Sequence, residues 1–259
     1  MSVVLSIENH VARVTIDRPD RMNAVDIATE KRLIAIWQEI EANRDVRVVV
    51  LTGAGERAFC VGADMKAEGA TLSGLEYWAA PRPGGFGGIA LRDTLDVPVI
   101  ARVNGHALGG GFEMVLGCDI VIAADNASFG LPEPRVGRLA LDGGIATLVR
   151  RIPHLHAMGM LLTGKRVTAA DAASYGVVNE VVPSSELDST VERWIADILA
   201  CAPLSVRAIK QMVRAGEKLS AREAQMLRLP ALIEALQSED QAEGVAAFRE
   251  KRPPVWRGK

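Results

Sequence analysis

Residues 104–133 read NGHALGGGFEMVLGCDIVIAADNASFGLPE, and the reading of this stretch decides the rest. Gly109, Gly110 and Gly111 run into a helical pattern predicted over residues 112–118. Consecutive glycines at a helix start leave backbone N–H groups unpaired and let a ligand approach the main chain. Such groups favour negative charge, including charge that develops during a reaction. Glu113 follows at once and is the only acidic or basic residue, histidine aside, between Asn104 and Asp119. A second carboxylate, Glu133, stands between Pro132 and Pro134. The stretch therefore holds candidate oxyanion donors and two candidate acid/base groups. Each glutamate alone also has a plainer reading. An acid in a first helical turn complements the helix dipole, and an acid between prolines is an ordinary solvated turn residue.

Working outward, a second glycine-containing loop lies upstream, AFCVGADMK at residues 58–66, and RPDRMNA occupies residues 18–24. FCVGADMK, NGHALGGGFE and FGLPE, in this order and behind RPDRMNA, resemble the crotonase (enoyl-CoA hydratase/isomerase) superfamily. The likeness covers essentially the whole chain. Within the superfamily it points to the carnitinyl-CoA dehydratase branch, through Pro83-Gly84-Gly85-Phe86, Ala127-Ser128-Phe129 and the ending from Ser238 to Trp256.

The resemblance implies an α/β fold, a crotonase-like spiral of ββα turns with a C-terminal α-helical region. Residues 1–183 would be the spiral core with the CoA site and active site. Residues 184–259 would be a helical region that builds homotrimers, often paired as hexamers. It also implies a chemistry: water is added to or removed from the 2,3 bond of an acyl-CoA thioester through a stabilised enolate. The thioester oxygen would be held by the N–H groups of Ala63 and Gly110, preorganised donors that contribute ~3–4 kcal/mol each in comparable sites. Glu113 would activate the water that adds at Cβ, and Glu133 would deliver the proton to Cα. Many members that do not hydrate keep one of the two acids, so the presence of both argues for hydration over double-bond isomerisation. Arg21, Ala24, Ala63, Asp64, Met65 and Lys66 match the groove for coenzyme A. Phe248 and Lys251 match positions that reach the nucleotide, often from a neighbouring subunit; Lys251 reads equally well as a solvated charge in a basic tail. Coenzyme A is part of the substrate, and no separate cofactor is expected.

One departure stands out. Where many hydratases carry Pro-Gly, this chain carries Ala140-Leu141-Asp142-Gly143-Gly144. The preferred reading makes Asp142 the N-cap of the helix that follows, since Asp caps well. The alternative is a third acid, as dienoyl-CoA isomerases of the superfamily use.

Composition bounds the remaining classes. A chain of 259 residues that is 49% hydrophobic and 24% charged has the make-up of a globular protein with a large core. A net charge of −2 gives no footprint for nucleic acid. Cys60, Cys118 and Cys201 have no metal or redox spacing and read as reduced thiols of a cytoplasmic protein. His10, His106, His154 and His156 have no metal spacing either, so no metal is expected. The opening MSVVLSIENH lacks a basic leader, and no apolar run reaches the ~18 residues of a membrane span.

Periodicity predicts strands at residues 3–7, 11–16, 47–52, 97–103 and 120–124, a helix over 27–42 capped by Asp26, and an irregular segment over 67–88 that is a candidate lid or pocket wall. Helices are expected at about 88–95, 143–151 and from 153, then one over 169–175 capped by Thr168 and a strand over 177–182. Helical periodicity dominates from 184 to about 248. Its apolar face, Met226, Leu227, Leu229, Leu232, Ile233 and Leu236, suggests an oligomer interface.

Overall fold

The computed structural model describes residues 2–67 and 74–259; the part of the candidate lid at residues 68–73 lies outside them. Ten strands and eleven α-helices form among the described residues. The chain opens on a hairpin, β1 (Val3–Glu8) antiparallel to β2 (Val11–Ile16), turned at Asn9 and His10 with positive φ. Asp26 caps α1 (Ile27–Ala42), its carboxylate accepting from the Thr29 N–H at 2.8 Å. Leu33, Ile36, Trp37 and Ile40 give α1 a buried face at the i, i+3, i+4, i+7 spacing of a half-buried helix.

The chain then winds. It passes through β3 (Val48–Gly53), β4 (Ala58–Cys60) and α2 (Gly74–Ala79), then β5 (Val99–Val103), β6 (His106–Leu108) and α3 (Gly110–Leu116), then β7 (Ile120–Ala124), β8 (Ser128–Gly130), α4 (Gly144–Arg151) and α5 (His154–Thr163). After these come β9 (Val167–Thr168), α6 (Ala169–Tyr175) and β10 (Glu180–Val182). One sheet has the order β1-β2-β3-β5-β7-β10 and the other β4-β6-β8-β9. From β3 to β8 each turn thus gives one strand to each sheet before a helical or irregular return, which is a spiral of ββα turns. Within the larger sheet every pair after the hairpin is parallel.

The alternation of β3 explains its uninterrupted apolar run. Val49 and Leu51 enter the core that includes α1 and α3, while Val48 and Val50 enter a second cluster with Leu187, Val191 and Ile195. The latter belong to α7 (Leu187–Leu199), so the sheet is covered on both faces. Beyond α7 lie α8 (Pro203–Gly216), α9 (Ala221–Gln225), α10 (Pro230–Gln237) and α11 (Glu239–Glu250). α8 is pinned to the starts of the parallel strands: Lys210 Nζ reaches Val97 O at 2.8 Å and Asp119 at 2.6 Å, and Arg207 reaches Val46 O at 2.8 Å. No helix among the described residues is long and apolar enough to cross a membrane.

Three expectations are corrected. The helix expected at about 88–95 is absent; a single 3-10 turn, Phe86–Gly88, stands in its place. Close packing explains this. Gly87 has a φ of 62°, its carbonyl accepts from Trp37 Nε1 at 2.7 Å, and a Cβ there would lie 2.4 Å from Met114 Sδ. The segment read as irregular over 67–88 contains the short helix α2. The strand expected over 177–182 is confined to β10, because Asn179 turns its side chain to cap β7 by accepting from the Val121 N–H at 2.8 Å.

Candidate active site

The site forms where the two glycine loops meet. Gly109, with a φ of 54°, starts α3, and its carbonyl takes the N–H groups of Phe112 and Glu113. The Gly110 N–H has no acceptor among the described residues, as a first-turn donor should not. On the other loop, the N–H of Val25 donates to Gly62 O and that of Asp64 donates to Val25 O, both at 2.9 Å. These bonds skip Ala63, whose N–H also has no acceptor among the described residues. Gly62 brings the loops together: a Cβ on it would sit 3.1 Å from Gly110 N. The two free donors are therefore neighbours across a gap that only a glycine leaves open.

The upstream loop is held from behind. Arg18 reaches Asp64 Oδ2 at 2.9 Å and Asp26 Oδ2 at 3.0 Å, and its Nη1 donates to Ala24 O. Asn23 adds bonds to Ala54 O and Ala58 O, at 3.0 and 2.7 Å. The RPDRMNA motif and the GAD motif are thus one folded unit.

Glu113 is 4% exposed. Its Oε1 accepts the Gly144 N–H at 2.8 Å, at the first turn of α4 rather than from its own helix. Burial pushes its carboxyl up to about 8, with the Gly144 bond opposing and the charges of Asp142 and Glu133 adding to the rise. Glu133 opens a 3-10 turn, Glu133–Val136, and lies against Gly109, where a Cβ would be 2.9 Å from its Oε1. Its Oε2 is buried with no hydrogen-bond partner among the described residues, and burial raises its carboxyl as well. The phenyl ring of Phe86 covers Gly110, with a Cβ at that glycine meeting ring carbons at 2.6 Å.

Asp142 is not the N-cap of α4, contrary to the preferred sequence reading. Gly143 occupies that position, and no side chain caps the helix. Asp142 is buried instead, its Oδ2 accepting from the Tyr77 hydroxyl and lying 3.5 Å from Arg82 Nε. Arg82 also pairs with Glu30 of α1 and stacks over the Tyr77 ring, 4.3 Å from its centroid. The Tyr77 phenol is pushed up, by burial first and then by the Asp142 bond.

Of the sequence-predicted residues, the structure brings together Ala63, Gly110, Glu113 and Glu133, with Ala24 and Asp64 directly behind them. Arg21, Met65 and Lys66 are exposed near the same loop. Phe248 and Lys251 stand apart on the helical tail, where Phe248 is exposed and Lys251 closes α11 with a φ of 54°. Sequence reasoning missed Tyr77, Arg82, Arg18 and Gly144 as parts of the site. Each acts on a partner far along the chain, and no local pattern marks such a contact.

Residues 6–259 match the family described as enoyl-CoA hydratase/isomerase. The chain belongs to the enoyl-CoA hydratase/isomerase family. Among relatives in that family it is similar to a carnitinyl-CoA dehydratase of Proteus mirabilis, 38% identical over 262 residues that span 100% of this chain and 99% of that protein. It is 40% identical to an (E)-benzylidenesuccinyl-CoA hydratase of Thauera aromatica over 267 residues, 100% of each chain. Among solved structures, an enoyl-CoA hydratase of Bacillus anthracis superposes with a TM-score of 0.91 at 32% identity, covering 100% of both chains. The spiral of this chain is the crotonase fold.

Proposed function

We propose that the chain adds water across the 2,3 bond of an enoyl-CoA thioester, or removes it from the 3-hydroxyacyl thioester. One observation carries the reading: the buried Glu113 and the half-buried Glu133, whose Oε2 is enclosed, flank the N–H groups of Ala63 and Gly110, which have no acceptor among the described residues. A thioester oxygen between those donors becomes the oxyanion of an enolate as water adds. Glu113, ionised, takes the proton of the water that attacks Cβ. Glu133, protonated, gives its proton to Cα. Dehydration follows the same path in reverse. The chemistry uses no cofactor beyond the coenzyme A of the substrate.

The groove for coenzyme A runs past Arg21, Ala24, Asp64, Met65 and Lys66. The Asp64 side chain is held by Arg18, so its contribution is through the backbone. Phe248 and Lys251 reach the nucleotide of a neighbouring copy. This fits a homotrimer or a pair of trimers built by residues 184–259 around the core of residues 1–183, in the cytoplasm. The tail supports assembly, because Ile209, Val213, Met226, Ile233, Leu236 and Phe248 are all exposed, more apolar surface than a lone helical tail carries.

The names of the relatives support an acyl group of the carnitinyl type, with the benzylidenesuccinyl type as its alternative. Loss of the enoyl-thioester absorbance of crotonyl-CoA, with label from heavy-oxygen water entering the product, tests the reaction; a panel that includes carnitinyl-CoA tests the acyl group. Retention of the absorbance would reject hydration. A second reading, double-bond isomerisation, is favoured by the third carboxyl at Asp142 and is scored by migration without label.

A further inference from the structure

α11 ends on a lysine where glycine is the usual residue. Lys251 closes the helix with a φ of 54° and a ψ of 40°. The same left-handed position after α5 and α6 holds Gly164 and Gly176. Beyond residue 23, Lys251 is the only non-glycine residue with positive φ among the described residues. A side chain there crowds its own backbone, so the turn persists only where neighbours hold it.

Two sets of bonds hold it. The Lys251 N–H donates to Phe248 O at 3.3 Å and the Arg252 N–H to Ala247 O at 3.1 Å, which closes the backbone of the turn. The Arg252 side chain then folds back along α11. Its Nη1 and Nη2 donate to the two oxygens of Glu243 at 2.6 and 2.9 Å, and its Nε donates to Glu250 Oε2 at 2.6 Å. Glu243 Oε1 also accepts the Val255 N–H at 2.7 Å, so this one carboxylate ties the chain on both sides of Pro253 and Pro254. A two-pronged pair of arginine and carboxylate fixes direction as well as distance.

The clamp leaves two groups outside it. Phe248 is 86% exposed, and the exposed Lys251 ammonium has no partner among the described residues. An aromatic face and a free cation three positions apart suit a base to stack on the one and a phosphate to pair with the other.

We propose that Glu243 is a positioning residue for the nucleotide of coenzyme A: by holding Arg252 it fixes the left-handed turn that presents Lys251, beside Phe248, to the nucleotide bound by a neighbouring copy. This rests on the assignment of Phe248 and Lys251 made above. The sign of the effect separates the role from plain electrostatics. Glu243 is an acid near an anionic ligand, so its removal would tighten binding if charge alone counted, whereas loss of the turn weakens it.

The test titrates coenzyme A by calorimetry into the full chain and its Glu243→Ala, Lys251→Ala and doubly substituted variants. Glu243→Ala should bind about fivefold more weakly and Lys251→Ala about tenfold, within what a hydrogen bond to a charged group contributes. The double variant should bind no more weakly than Lys251→Ala, since the two residues act through one contact. Light scattering should report the same mass for all four proteins, which separates a displaced turn from a lost assembly. Unchanged or tighter binding by Glu243→Ala, additive losses in the double variant, or a lower mass for Glu243→Ala overturns the proposal. Unchanged binding by Lys251→Ala strikes the nucleotide assignment itself; weaker binding there without any loss in Glu243→Ala strikes only the role of Glu243.

Discussion

The Gly144 N–H donates to Glu113 Oε1 at 2.8 Å, so the catalytic candidate on α3 is stabilised by the start of α4. A donor to the charged form pulls a carboxyl down, yet burial prevails and leaves this one at about 8. A base for water must be ionised, so kcat/KM for hydration should fall with unit slope as pH drops below about 8. Glu113→Gln should abolish this limb with most of the activity. Asp142→Asn should move the limb to lower pH, since it removes one of the charges that raise Glu113. A pH profile of the three proteins checks all of this, and a normal rate with an unchanged limb in Glu113→Gln would place water activation elsewhere.

The same carboxyl sets a stability trend of opposite sense. Its value in the folded chain lies above the ordinary 4.5, so its contribution is most favourable below 4.5 and is lost as pH rises through about 8. Glu113→Gln should therefore gain stability relative to the unchanged chain as pH rises between those values, then level off. Thermal melts at pH 5, 7 and 9 (round settings, about two units apart on the scale of one titration) check the trend; a difference that does not change with pH would contradict it.

Glu133→Gln should fold normally and lose about 10²–10⁴ of the hydration rate, the usual share of a general acid or base. Its fold is safe because the turn at Glu133 rests on backbone bonds, Arg138 N–H to Glu133 O at 2.9 Å among them. Steady-state kinetics beside a circular-dichroism melt measure both halves, and retention of about half the activity would refute the assigned role.

The tail should assemble. Light scattering should report three copies or a multiple of three, and Ile209→Glu with Leu236→Glu should shift the mass toward a monomer, since both side chains stand exposed on α8 and α10. A monomer in the unchanged chain at micromolar concentration would remove the assembly reading, and with it the route for Phe248 and Lys251 to a nucleotide.

Legibility followed the range of the physics involved. α1 and its Asp26 cap, β2, β7 and α6 with its Thr168 capping box were readable because periodicity and capping act within a few residues. The candidate donors and acids were located instead through the likeness of their short motifs to a family. Asp142 was misread because a capping aspartate and a buried one look alike in sequence. What separates them is Tyr77, sixty-five positions away. The helix expected at 88–95 failed for a similar reason, since Trp37 and Met114 crowd the Gly87 backbone into a tight turn that no neighbour in sequence announces.

The bond from Trp37 Nε1 to Gly87 O has an optical consequence. Trp37 is fully enclosed, and its indole is tied to the segment that carries Phe86 over Gly110, whereas Trp78 on α2 stands in solvent. Enclosed indoles emit toward the blue and solvated ones toward the red. The two ends of that segment are therefore labelled by nature in different colours. With Trp194 and Trp256 replaced by Phe, arrival of an acyl chain under Phe86 should be visible in the blue component, and any shift of α2 about Tyr77 in the red, without a dye or a coupled assay.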